Sequence, residues 1–159
     1  MRLNVYPTPM IDQYVKLAAA DLSADLQQRN LIVVVDDDAV SVDIISRTLR
    51  SCWSGDVITF VDAAAALETI RARHAAIALI VLDMAMPSVN GCQLASAIRR
   101  SDGLSDVPIA ILTAVPLQDV TIRARDAGAN YVASKPFNRQ KLLAVLQDAV
   151  SMSAWVISG

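Results

Sequence analysis

The sequence contains few of the residues that mark disulfide-rich, zinc-binding or nucleic-acid-binding proteins. Among 159 residues there are two cysteines and one histidine. Cys52 and Cys92 match no metal-ligand spacing and are too few for a disulfide framework, so reduced thiols in a cytoplasmic protein are expected. Fourteen basic residues stand against sixteen acidic ones without any basic block, so no nucleic-acid partner is expected.

Long apolar runs are also lacking, although 54% of the residues are apolar and the mean hydropathy is +0.41. The longest unbroken apolar stretch, Ala75–Leu82, is far shorter than the roughly 20 residues of a membrane-spanning helix. The first residues carry no apolar signal core. The apolar residues are therefore expected in a buried sheet and its covering helices, without membrane contact.

Short apolar runs alternate five times with segments of helical periodicity. Continuous runs rich in Val and Ile are typical of parallel strands buried on both faces. The predicted strands are Leu31–Val35, Val57–Val61, Ile77–Leu82, Val107–Leu112 and Tyr131–Ala133. The predicted helices are Ala39–Arg50, Ala63–Ala75, Cys92–Arg100, Leu117–Ala127 and Gln140–Val150. This alternation predicts an α/β fold with a doubly wound, five-stranded parallel sheet.

The two ends of the chain flank this domain, which is predicted to span residues 31–150. Residues 1–30 form an N-terminal extension with an apolar stripe that predicts an amphipathic helix. Two interpretations of this helix stay open: a flap packed on its own domain, or a contact with a dimer or partner. Residues 151–159 form a short tail, in which Trp155-Val156-Ile157 is expected to be an exposed apolar cluster.

Carboxylates follow two of the predicted strands. The first strand is followed by Asp36-Asp37-Asp38 and the third by Asp83. Ligands of doubly wound sheets bind at the carboxyl ends of the strands. Neighbouring carboxylates repel unless a cation lies among them, and oxygen ligands suit Mg²⁺. Taken alone, the first cluster could equally be a solvated turn that caps the next helix.

The ends of the fourth and fifth strands supply a hydroxyl and an ammonium group. Thr113 ends the fourth strand, and Lys135 follows the fifth, directly before Pro136. A cis bond before the proline would aim Lys135 inward. Together with the carboxylates, these groups are the parts needed to bind and stabilise a transferring phosphoryl group.

Residues Leu31–Val150 resemble the response-regulator receiver domains of two-component signalling, which have a flavodoxin-like fold. The resemblance covers about three quarters of the chain and rests on four motifs in the usual order. These motifs are Asp36-Asp37, Leu82–Pro87 with Gly91, Thr113-Ala114 and Lys135-Pro136-Phe137.

The resemblance implies that Asp83 is the phosphoacceptor. The donor would be a phosphohistidine on a sensor histidine kinase or a phosphotransfer protein. Mg²⁺ would be bound by Asp37, Asp83 and the backbone carbonyl of Ala85, with Asp36 acting through water.

The resemblance also gives roles to the remaining polar groups at the strand ends. Lys135 would pair with one phosphoryl oxygen, and the Thr113 hydroxyl would move to bind another. The protein would not be an enzyme beyond its own phosphoryl transfer and dephosphorylation.

Three positions depart from the family pattern. An aromatic residue is common three positions before the lysine, but Val132 stands there, and Tyr131 on the opposite face of the strand cannot replace it. The hypothesis is therefore that activation is transmitted by the loop and helix backbone more than by an aromatic rotamer. Ala85 and Val115 cannot bind a hydrolytic water through their side chains, so we expect neither to assist dephosphorylation.

Three other functions share parts of this pattern. A haloacid-dehalogenase-type phosphatase needs an acid where Ala85 stands, and a flavodoxin-like cofactor binder needs a phosphate-cradling loop where Asp36-Asp37-Asp38 stands. An unphosphorylated interaction module stays open. The downstream partner is unknown, and homodimerisation or docking is expected on the face of Leu117–Ala127, the fifth strand and Gln140–Val150.

Overall fold

Strands and helices alternate through the part of the chain that the structure, a computed structural model, describes: residues 29–136, 138–151 and 156–158. The strands are β1 (Leu31–Val35), β2 (Asp56–Phe60), β3 (Ile77–Asp83), β4 (Ile109–Thr113), β5 (Tyr131–Ser134) and β6 (Val156–Ser158). The helices are α1 (Ala39–Arg50), α2 (Ala63–Ala72), α3 (Gly91–Arg99), α4 (Leu117–Asp126) and α5 (Arg139–Ser151). The predicted helix within residues 1–30 lies outside the described residues.

All strand pairs are parallel, and the order across the sheet is β2-β1-β3-β4-β5-β6. The chain moves outward from β1 to β2 and then returns past β1 to β3, so the strand order reverses between β1 and β3. This arrangement confirms the predicted doubly wound α/β fold. The five predicted strands are present, and β6 adds a sixth to the sheet beside β5.

The sheet prediction missed β6 because three residues are too few for a periodic pattern. Val156 pairs with Tyr131, Ile157 with Val132 and Ser158 with Ala133. Val156 and Ile157 thus have a place in the sheet that the sequence did not predict. The exposure expected for this cluster stays a prediction.

The sheet separates two apolar layers, because successive side chains of a strand point to opposite faces. Val33 and Val35 of β1 lie in the layer covered by α2, α3 and α4, whereas Ile32 and Val34 lie in the layer covered by α1 and α5. All five residues of β1 are buried, which explains their continuous apolar run. Full burial of one such side chain stabilises the fold by about 1.5–3 kcal/mol.

Half-buried Arg99 links α3 to the two loops that precede β4 and β5. Its guanidinium donates to the carbonyl oxygens of Gly128 and Leu104 at 2.9 and 2.7 Å and to Asn130 Oδ1 at 2.8 Å. Asn130 Oδ1 also accepts from the backbone N–H of Ile109 at 2.9 Å, where β4 begins. Arg99 therefore positions the segments that lead into β4, which ends at Thr113, and into β5, which ends directly before Lys135.

Among the described residues, no helix combines the length and the apolar character needed to cross a membrane.

Candidate functional site

Three carboxylates meet where β1 and β3 end. Val35 pairs with Leu82 in the sheet, so Asp36 and Asp83 leave neighbouring strands side by side. One oxygen from each of Asp36, Asp37 and Asp83 lies within 4.8 Å of the others. Asp36 is 1% exposed and Asp83 is 7% exposed, whereas Asp37 faces solvent. The site is thus a buried pair of carboxylates with a third at its open side.

Asp38 belongs to the helix and not to this cluster. Its carboxylate accepts from the backbone N–H groups of Val40 and Ser41 at the start of α1, at 3.2 and 3.3 Å. The Ser41 hydroxyl donates to it at 2.9 Å, and this bond, followed by the Val40 N–H, holds the pKa of Asp38 below its usual value. The capping interpretation is therefore right for the third aspartate of the run. The first two lie in the cluster.

Lys135 follows β5, two strands away from β3, and its side chain extends to the two buried carboxylates. Its Nζ lies 2.9 Å from Asp36 Oδ2 and 2.8 Å from Asp83 Oδ1. Its backbone N–H donates to the Thr113 carbonyl at 2.7 Å, and the peptide bond to Pro136 is cis. The ammonium therefore bridges the ends of β1 and β3.

The bridge only partly relieves the crowding of negative charge. Burial raises the pKa of Asp83; the hydrogen bond from Lys135 opposes this, and the nearby charges of Asp36 and Asp37 add to it. Burial alone would lower the pKa of Lys135, but its bonds to Asp83 and Asp36 leave that pKa raised. Lys135 therefore stays charged, while ionisation of Asp83 is disfavoured.

The donor set fits a hard divalent cation. Three carboxylates and one ammonium leave a formal charge of −2 when all are ionised, and every donor atom at the cluster is an oxygen. Mg²⁺ takes a few carboxylates and keeps several waters, for which the solvent-facing side at Asp37 leaves room. Asp36, Asp37 and Asp83 are thus the residues that could hold such an ion.

Thr113 lies at the same edge of the sheet, one residue beyond the pairing of Asp83 with Leu112. Its side chain is fully buried. The hydroxyl accepts from the backbone N–H of Val115 at 3.0 Å and lies 3.4 Å from the Val115 carbonyl. In this conformation the hydroxyl is used inside its own loop.

The remaining predicted residues lie around the cluster or within the sheet. Ala85 and Val115 are exposed on the loops after β3 and β4. Val132 is buried in the layer of α2, α3 and α4, and Tyr131 in the layer of α1 and α5. The two residues thus lie on opposite faces of β5, as strand alternation predicted.

Gly91 lets the loop after β3 fold tightly against Asp83. Its N–H donates to the Met84 carbonyl at 2.9 Å. A Cβ at this position would lie 2.5 Å from the Asp83 carbonyl oxygen, which is far inside van der Waals contact. Any larger residue would therefore displace the backbone of Asp83.

Sequence reasoning missed Lys141, in the first turn of α5. Its Nζ lies 3.3 Å from both the carbonyl and hydroxyl oxygens of Ser134, and 3.5 Å from the Pro136 carbonyl. These atoms flank Lys135 in the chain. No motif marks the position; only the spacing of six residues from Lys135 could have drawn notice to it.

A doubly wound sheet with clustered aspartates, a lysine and a threonine at its carboxyl edge defines a receiver-type domain. The family described as Response regulator receiver domain matches residues 32–147. The chain belongs to this family, whose general function is phosphorylation-dependent switching in two-component signalling.

Relatives of two kinds match. Transcriptional regulatory protein PrrA of Mycobacterium tuberculosis is 37% identical over 114 residues, which are 71% of this chain and 46% of PrrA. A chemotaxis protein CheY homolog of Campylobacter jejuni is 29% identical over 119 residues, 75% of this chain and 91% of that protein. The chain spans about half the length of the transcriptional regulators it matches.

A solved structure shares the fold closely. The receiver domain of sensor histidine kinase PA1611 from Pseudomonas aeruginosa is 28% identical, with a TM-score of 0.69. The match covers 77% of this chain and 98% of that one, and its structure holds a magnesium ion in the active site cleft.

Proposed function

We propose that the chain accepts a phosphoryl group on Asp83 from a sensor histidine kinase or a phosphotransfer protein, and that this changes a partner-binding surface. The observation that carries the proposal is the placement of Asp83 between Asp36, Asp37 and the Lys135 ammonium. Under this proposal the receiver domain spans residues 31–150, between an extension (1–30) and a tail (151–159).

Asp83 would act as the nucleophile. Lys135 contacts Oδ1, so we assign the attack to Oδ2. The P–O bond to Asp83 forms while the P–N bond of the phosphohistidine breaks, and the leaving imidazole takes up a proton. Lys135 orients the carboxylate and would then pair with a phosphoryl oxygen, which stabilises the charge that the transfer places there.

Mg²⁺ is part of the proposal. Asp37, Asp83 and the backbone carbonyl of Ala85 would hold it, with Asp36 acting through water. When bound, the ion neutralises charge on the phosphoryl oxygens. The magnesium-bound receiver domain of PA1611 supports this assignment by similarity.

The switch would begin at Thr113. A phosphoryl group on Asp83 offers an acceptor oxygen at the edge where the Thr113 hydroxyl lies. Turning toward it would end the bond from Val115 N–H, so the loop between β4 and α4 would move. Transmission through this loop does not need an aromatic side chain at Val132.

Movement of the loop between β4 and α4 would change the surface next to it, where a partner could bind. We propose that α4, β5 and α5 form the face for a downstream protein or for a second copy of the chain, without nucleic acid. The protein would catalyse no reaction other than its own phosphoryl transfer and dephosphorylation. A cytoplasmic location, expected from the free thiols of Cys52 and Cys92, belongs to the same proposal.

The test is phosphorylation by a small-molecule acyl phosphate with Mg²⁺, followed by intact-protein mass spectrometry. We expect the wild-type protein to gain one phosphoryl group and Asp83→Asn to gain none. Asp126→Asn, which removes an exposed carboxylate on α4, is the matched control. Equal labelling of Asp83→Asn and wild type would exclude Asp83 as the acceptor. A wild-type protein that takes up no phosphoryl group would favour the unphosphorylated interaction module.

A further inference from the structure

The loop that follows β5 carries Lys135 into the site, and Lys141 binds that loop from the first turn of α5. Lys141 Nζ contacts the Ser134 carbonyl and hydroxyl at 3.3 Å each and the Pro136 carbonyl at 3.5 Å. We propose that Lys141 is a positioning residue that keeps the Lys135 ammonium between Asp36 and Asp83. The inference deepens the proposed function and rests on it.

The contacts match what an ammonium group can make. A lysine has three N–H donors and no acceptor, and Nζ of Lys141 has three oxygens within reach. The oxygens come from the residues immediately before and after Lys135. Lys141 therefore contacts the residues on both sides of Lys135, whose side chain enters the site.

The position of Lys141 is electrostatically unfavourable for the helix itself. It is the third residue of α5, and the N-terminal turn of a helix carries partial positive charge that disfavours cations. The turn already has its cap, because Asn138 Oδ1 accepts from the Lys141 N–H at 2.9 Å. Among the described residues, no carboxylate forms an ion pair with Lys141. The loop oxygens are thus the partners that explain a cation here.

Lys135 also has contacts of its own with the rest of the domain. Lys135 N–H donates to the Thr113 carbonyl at 2.7 Å, and the Lys135 side chain is held by the two carboxylates. These two contacts fix Lys135 itself. Lys141 adds the restraint on the backbone at Ser134 and Pro136, and it joins the loop to α5.

The experiment compares Lys141→Met, Lys141→Arg and Arg139→Met with the wild type. Met keeps the length of the side chain without its donors, and Arg restores donors and charge. Arg139→Met removes an exposed cation from the same turn and is the control. One measurement is the rate of phosphorylation by a small-molecule acyl phosphate over a range of concentrations. The other is hydrogen exchange of the Lys135 backbone amide.

Lys141→Met should lower the maximal phosphorylation rate roughly tenfold, because a small misplacement of a catalytic group is costly. The donor concentration at half-maximal rate should stay unchanged. Exchange of the Lys135 amide should become faster. Lys141→Arg should restore most of both quantities, and Arg139→Met should match the wild type.

The inference requires both changes. A wild-type phosphorylation rate or a wild-type exchange rate in Lys141→Met overturns it, and so does an equal loss in Arg139→Met. If the wild type is not phosphorylated at all, the proposed function fails, and the amide exchange alone then decides whether Lys141 holds the loop.

Discussion

Lys135 Nζ lies 2.8 Å from Asp83 Oδ1, so the proposed phosphoacceptor and its cation form a direct ion pair across the edge of the sheet. The pair is held at both ends by other contacts. Asp36 accepts a second bond from the same ammonium at 2.9 Å, and Asp83 ends a strand buried along its whole length. The site therefore exists as a fixed arrangement before any phosphoryl group arrives.

Removing the charge of Asp83 should stabilise the metal-free protein. Burial raises the pKa of Asp83, so the folded protein binds a proton there more readily than the unfolded chain. Stability from this group is therefore present at low pH and lost as pH rises through its unfolded and then its folded pKa. We expect Asp83→Asn to raise the free energy of unfolding on the order of 1 kcal/mol at pH 7. Urea titrations at pH 7 and at pH 4 measure this.

The gain from Asp83→Asn should shrink at pH 4, because the raised pKa of Asp83 increases the protonated fraction of the wild-type carboxyl as pH falls. Added Mg²⁺ should stabilise the wild type more than the variant, because a ligand that binds only the folded state adds to its stability. An equal gain at both pH values would contradict the assignment.

Removing the charge of Lys135 should have the opposite effect. Lys135→Met leaves Asp36 and Asp83 without their shared cation, and breaking these partly buried pairs exposes the repulsion among the carboxylates. We expect a loss of about 1–3 kcal/mol in the absence of metal, measured by urea denaturation. Mg²⁺ should recover part of that loss.

Arg47→Met is the control for this variant. Arg47 and Asp43 form an exposed ion pair, and losing it should lower the free energy of unfolding by less than about 0.5 kcal/mol. A Lys135→Met protein as stable as the wild type would show that the carboxylates do not repel as argued.

Thr113→Val should separate phosphorylation from switching. Valine keeps the shape but removes the acceptor of the Val115 N–H bond, so the loop loses its resting contact and its link to a phosphoryl oxygen. We expect phosphorylation within about threefold of wild type, with smaller amide chemical-shift changes in α4. Thr121→Val is the control, since its buried hydroxyl bonds the Leu117 carbonyl inside α4. Full wild-type shift changes in Thr113→Val would end the role proposed for the hydroxyl.

Arg99→Lys should destabilise the fold although the charge is kept. A lysine cannot reproduce the planar set of bonds to Gly128, Leu104 and Asn130. We expect a loss of about 1.5–3 kcal/mol in the free energy of unfolding, measured by denaturant titration. Arg100→Lys alters an exposed side chain next to it and should change stability by less than about 0.5 kcal/mol. Similar values for both variants would refute this role.

Much of the fold could be predicted from the sequence, because strands buried on both faces give continuous apolar runs. Leu31–Val35 was predicted to the residue, since a continuous Val/Ile run has one ready explanation in a parallel sheet. The start of β4 was placed two residues early, at Val107, because apolar Pro108 extends the run although proline cannot donate within a ladder. The end of α2 was placed late because Ala75 continues the helical composition, whereas the chain turns at Arg73 into a short 3₁₀ segment.

The site was only partly readable. The proximity of Asp36, Asp83 and Lys135 could be predicted, because each lies at or directly after the carboxyl end of a strand. The separate role of Asp38 as a helix cap, and the hold of Lys141 on the loop, depend on side-chain directions that spacing does not encode. The roles of the site residues in phosphoryl transfer stay predictions.

The division of the core into two layers has a mechanical consequence. α4 buries Val120, Thr121 and Ala124, and its Leu117 is partly buried against the layer that contains Val120 and Ala124. Shifting this helix would disturb little apolar surface and would leave the α1 and α5 side of the sheet untouched. The surface at α4 can therefore be remodelled at low energetic cost while the layer between the sheet and α1 and α5 keeps its packing.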